Sequence, residues 1–326
     1  MTSVCSRGRL EAKTDEREAE TVLREPLGES RAAAEIETAA PDDGSSQPEK
    51  ASLHPIPASP LDVLESDPRA FRGKGYDVFS WADRPGILIL RFADYATQDR
   101  WLKRLAFFVE KAGFRGRLAR DEEIAGLHGW NAHDYRARDL ARFFSQALEE
   151  GFPLNREEEE LRALLLAQGH ILAEGGAFRG EPDRAIVSVS AESAPAMERR
   201  FIVHELYHAL YFTVPAFARD AAALRAGMEA DLRAYVEEFM DYKDFDIGDQ
   251  DLMDNEFMAY FLQLDEAGTL DYFGRSVAEF LEQDRGGDGS WLKRGQALGP
   301  AIRRAAEEYS DLAYRHFGYR SGRVWR

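Results

Sequence analysis

The sequence predicts an α+β fold, mainly helical with a small sheet. Three features lead to that expectation. Two short apolar segments, at 86–92 and 185–190, lack helical period. A longer series of segments repeats apolar residues every three or four positions, and an opening stretch can support neither pattern.

That opening stretch covers residues 1–60, rich in Ala, Glu, Ser and Pro and nearly free of aromatics. It cannot bury enough apolar surface to offset its ordering entropy, so it is expected to be disordered, with Pro55 to Pro60 as an extended boundary. From Leu61 the chain should fold as a first α/β segment over 61–184, packed on a second over 185–326. Gly86 to Phe92 follows Pro85 as an apolar run and reads as a buried strand. Gln98 to Ala112 carries Trp101, Leu102, Leu105, Phe108 and Val109 at helical spacing. A helix is expected over Asp134 to Glu150, with Asp134 as its N-cap. The four glutamates Glu157 to Glu160 fit the positive end of a helix capped by Asn155, so they need no metal or acidic-patch role.

Ala185 to Ser190 is β-branched and partly alternating, hence a strand, either one that accepts an extended peptide along its edge or an ordinary core strand. Ser193 and Pro195 then open a helix running to about Phe212, ended by Pro215. Ala216 to Tyr242 reads as one further helical stretch and Asp244 to Asp254 as an acidic connection. Asn255 to Leu264 is helical again, and helices from Asp271 onward are interrupted at Gly286 to Gly289.

Composition removes several classes of function. With 42 basic against 59 acidic residues the formal net charge is −17, which does not suit a nucleic-acid partner. No window approaches the roughly 18 apolar residues of a membrane span, and the first twenty residues lack the apolar core of a signal peptide. The chain reads as cytoplasmic as it stands; Cys5, after Thr2-Ser3-Val4, would be an envelope lipoprotein's lipidated residue if the start lay upstream. Cys5 is the single cysteine, so any metal must be held by His and carboxylate groups.

Such a set is present in His204-Glu205-Leu206-Tyr207-His208. Residues four apart share one helix face, so His204 and His208 can present imidazole nitrogens to one ion. Glu205 lies beside them, placed to take a proton from metal-activated water and return it to a leaving group. Phe201, Ile202, Val203, Leu206, Ala209, Leu210 and Phe212 make the helix apolar nearly all round, hence buried. Two His and a Glu there would be costly without a ligand or partner. The alternative is a pair of core histidines bonded to carbonyls.

With its strand-then-helix order, this motif resembles the zincin metallopeptidases. The resemblance implies a zincin-like catalytic domain over 185–326, one Zn2+ per chain and a peptide or protein substrate. The metzincin third histidine is absent, since Tyr211 and Val214 stand at its diagnostic positions. The gluzincin Asn-Glu helix has a counterpart in Asn255-Glu256-Phe257-Met258-Ala259-Tyr260, which implies Glu256 as third ligand. Its long separation from His208 resembles gluzincins with inserted helices. Asp271, in Gly268-Thr269-Leu270-Asp271, is a rival that falls one residue short of the aspzincin motif. Tyr260 stands where thermolysin-like enzymes carry an Asp that orients a ligand His, leaving Asp251, Asp254 or a backbone carbonyl for that task. Tyr211, Tyr260 and His316 are candidate oxyanion donors. His54, His128, His133 and His170 lack ligand spacing. The expected activity is zinc-dependent peptide hydrolysis with Glu205 as general base. The alternatives are a catalytically inactive zincin-fold binding or regulatory protein, or a zinc hydrolase of a non-peptide substrate.

Overall fold

A computed structural model of the protein describes residues 54–111, 113–127 and 131–325. The expectations for residues 1–53, including Cys5, and for His128 lie outside the described residues. The chain opens with β1 (Ile56–Ala58) and α1 (Pro60–Glu65), the latter started by Ser59 and Asp62 in a reciprocal capping box. Next come β2 (Tyr76–Trp81), β3 (Ile87–Phe92) and α2 (Tyr95–Val109), then the short α3 (Asp121–Ile124).

The helix expected from Asp134 is divided. Ala132–Arg136 forms a strand, β4, and α4 (Ala137–Glu149) begins only after it. Asp134 is therefore not an N-cap. The alternation of His133 and Tyr135 against Ala132, Asp134 and Arg136 suits the two faces of a sheet, and pairing with a neighbouring strand overrides the local helical signal. α5 (Arg156–Ala167) starts as the sequence indicates, with Asn155 and Glu158 capping each other's backbone. A hairpin follows, β5 (Ile171–Glu174) and β6 (Ala177–Gly180), turning through Gly175 and Gly176, both at positive φ. Its short strands are mostly exposed, so no buried apolar alternation announces them.

After β7 (Ala185–Ser190) comes α6 (Pro195–Thr213). Pro195 occupies its first turn, where a missing N–H costs nothing, and Pro215 ends it by opening α7 (Pro215–Gly227). Ala216 to Tyr242 is two helices rather than one, α7 and α8 (Ala230–Tyr242), broken at extended Met228. α9 (Gln250–Leu262) starts five residues before the sequence suggests, because Asp249 accepts the Leu252 N–H and caps it. α10 (Glu266–Asp271), α11 (Val277–Arg285), α12 (Ser290–Ala297) and α13 (Gly299–Phe317) complete the helices.

The main sheet is mixed, in the order β1-β2-β3-β7-β4. β7 runs parallel to β3 and antiparallel to β4. It is therefore bonded on both sides, the core strand of the two alternatives, and has no edge to offer a peptide; the edge strand beside it is β4. The boundary drawn at residue 184 falls inside this sheet, since 61–184 supplies β3 and β4 and the following segment supplies the strand between them. One face of the sheet buries Leu88, Leu90, Tyr135 and Ile186 against α2, α4 and α5. The other buries Ile89, Val187 and Val189 against α6, which is covered in turn by α7 and α9, with α13 packed on those two. Among the described residues no helix is long and apolar enough to cross a membrane.

Candidate metal centre

α6 is buried by the sheet on one side and by helices on the other, so its polar residues must meet partners within the protein. His204 and His208 project from one face toward α9, which brings Glu256 against them. His204 Nε2 and His208 Nε2 are 3.0 Å apart; Glu256 Oε2 lies 3.8 Å from the first and Oε1 lies 3.7 Å from the second. These three residues form one group of converging ligand atoms. Asp271 does not join it, being exposed on α10 and paired with Arg275.

Bonds of about 2.0–2.2 Å from one tetrahedral ion require donor atoms roughly 3.3–3.6 Å apart. The observed spacings bracket that range, so the residues fit zinc. The chemistry of the donors agrees. Two imidazole nitrogens face each other across 3.0 Å, and Glu256 Oε2 is buried without a hydrogen-bond partner. Glu205, His208 and Glu256 retain 7%, 2% and 7% of their exposure, so water is a poor substitute.

Protonation in the metal-free site reflects this crowding. Burial, the neighbouring His208 and the Arg200 charge hold the His204 imidazole well below its usual range. Burial also depresses His208, but the carboxylates of Asp134 and Glu256 outweigh it and raise that ring. Glu256 is pushed up to about 7, chiefly by burial. Glu205 is raised well above the carboxylate range by burial first and then by Asp134. A divalent cation at the convergence point would favour the ionised carboxylates and neutral imidazoles instead.

Asp134 is the site residue that sequence reasoning missed. β4 directs it toward α6, where it forms a second converging group with Glu205 and His208 and its negative charge raises the Glu205 carboxyl. The alternation along β4 was the available signal. Two amides also reach the site from α9 and its C-cap: Asn255 faces the His208 ring and Gln263 the His204 ring.

No protein-family model, curated protein or solved structure matches this chain.

The other candidates are distributed as follows. Tyr211 donates its hydroxyl to Asp251 Oδ1 at 3.2 Å, and Asp251 is also paired with Arg136 of β4 at 2.9 Å. Tyr260 packs edge-on against the His204 ring, with centroids 4.9 Å apart. His316 bonds Asp220 of α7 and packs on Phe217, so it belongs to the α7–α13 contact. Asp254 is engaged by Arg225, which leaves neither aspartate of this pair bonded to a ligand histidine. His133 faces the opposite side of the sheet, against Ser188 and Gln98, and His170 is buried and pulled down to about 4 by desolvation. His54 is exposed at the start of the described chain.

Proposed function

We propose that the protein is a zinc-dependent metallopeptidase of the gluzincin-like zincin type. The observation that carries this reading is the convergence of His204, His208 and Glu256 on one point, with Glu205 beside them. Zinc bound by these three residues would act as a Lewis acid, acidifying water and polarising the scissile carbonyl. Glu205 accepts the proton released when water attacks and delivers it to the departing amine nitrogen. Burial raises its proton affinity above that of an ordinary carboxylate, and a bound cation would draw it back toward the ionised form a general base needs. Asp134 helps set that affinity through its negative charge beside Glu205. The outer edge of β4 offers backbone groups on which an extended peptide could align.

Elemental analysis tests the reading at its base. Wild-type protein should carry about one zinc per chain, and His208→Ala and Glu256→Ala should each lose most of it. No zinc in the wild type after supplementation would refute the reading. One observation favours a second reading, a zinc-holding protein without catalysis: the Asp134 carboxylate converges on Glu205 and His208, crowding the base. A zinc-loaded wild type inert toward a broad peptide library would support it.

A further inference from the structure

A histidine that binds metal through Nε2 must carry its proton on Nδ1, and an acceptor there fixes both tautomer and ring orientation. For His208 the surroundings supply one simply: Nδ1 and Asn255 Oδ1 are both buried, neither makes a complete hydrogen bond, and the two side chains face each other. The thermolysin-like position for the partner of the other histidine holds Tyr260, whose ring packs edge-on against His204. Neither Asp251 nor Asp254 takes the role, because they are engaged by Tyr211, Arg136 and Arg225.

His204 Nδ1 and Gln263 Nε2 are each buried without a hydrogen-bond partner. Gln263 keeps only 5% of its exposure and lies against the His204 ring. It stands two helical turns beyond Glu256 and caps the C-terminus of α9, so one helix brings both the ligand carboxylate and this amide to the same imidazole. Amide oxygen and nitrogen exchange places by rotation about the terminal side-chain bond. Turned that way, Gln263 presents Oε1 to the Nδ1–H of His204, and two orphaned atoms satisfy each other. Two donors facing each other would instead leave both desolvated, at a cost of roughly 1–3 kcal/mol each.

We infer that Gln263 is the positioning residue of His204, accepting its Nδ1–H and holding Nε2 toward the metal in place of the carboxylate used by thermolysin-like enzymes. The inference rests on the proposed metal site. An amide accepts less strongly than a carboxylate, so the imidazole it orients is a weaker donor to the ion, and the site trades affinity for a smaller buried charge.

The test is zinc affinity, measured by competition with a chromogenic chelator, for wild type, Gln263→Leu, Gln263→Asn and Gln263→Glu. The unfolding midpoint of each metal-free protein is measured in parallel. Loss of the acceptor in Gln263→Leu, or of its reach in Gln263→Asn, should weaken zinc binding about 10- to 100-fold. Gln263→Glu should bind at least as tightly as wild type. Unchanged affinity in Gln263→Leu and Gln263→Asn would overturn the inference. So would losses in all three variants that follow the metal-free midpoints, since that pattern marks a packing role. Failure of wild type to bind zinc would remove the metal site itself, whereas a zinc-binding wild type with indifferent variants would remove only Gln263's role.

Discussion

The two ends of α6 handle buried charge in opposite ways. Near its start, Glu198 is met by Arg91 of β3 through Nε at 2.7 Å and Nη2 at 3.1 Å. The remaining Arg91 nitrogen donates to Val63 and Ser66, so every charge in that centre is answered by protein. Two turns later Glu205 and His208 are as enclosed and His204 somewhat less so, yet Glu256 Oε2 and both imidazole Nδ1 atoms lack complete hydrogen bonds. A closed ion pair needs nothing further and serves the fold. The open cluster leaves buried polar atoms unanswered within the protein, a cost that the proposed metal ion would offset.

The largest contrast should come from substitutions that separate the two ends by their effects. Glu205→Gln is expected to retain zinc and to lower peptide hydrolysis by about 10²- to 10⁴-fold, read from initial rates and metal content on the same samples. Glu198→Ala strands Arg91 and should cost roughly 3–5 kcal/mol in urea unfolding while leaving the zinc stoichiometry of folded protein unchanged. If Glu198→Ala instead removed metal selectively, the division between the two ends would fail.

A smaller effect concerns pH. Glu256 sits at about 7 in the metal-free fold against an ordinary 4.5, so the folded state holds that proton more tightly than the unfolded chain does. Its contribution is complete below about pH 4.5 and is lost as pH rises through about 7. Metal-free Glu256→Gln should therefore be more stable than wild type above pH 7, by at most about 3 kcal/mol, and lose this advantage in acid. Thermal melts across that range give the answer. For Asp134→Asn, the acid limb of the activity profile should move to lower pH, because Asp134 raises Glu205. The smallest effect is expected at Asp271→Asn, which should leave zinc content unchanged, its carboxylate being exposed and bound to Arg275.

Much of this arrangement was legible in the sequence because it depends on helical spacing. His204 and His208 are four apart on an apolar helix, and both β3 and β7 stand out as short apolar runs. The capping residues of α5 were equally plain, since Asn155 and Glu158 act locally. What escaped depends on distant partners. β4 carries His133, Asp134 and Arg136, a polar composition that becomes a strand only through pairing with β7, and Asp134 reaches the site by that pairing. Gln263 belonged to the helix already read for Glu256, two turns on, but a glutamine there gains meaning only once His204 is seen beside it.

The position of β7 has a consequence for how the chain folds. Ile87 pairs with Ala185, nearly one hundred residues later, and β4 must wait for the same strand. Until residues 185–190 leave the ribosome, β3 and β4 each expose an unsatisfied edge to other nascent chains. β7 then zips both at once. The strand that completes the sheet leads directly into α6, so assembly of the ionisable cluster is tied to this long-range pairing.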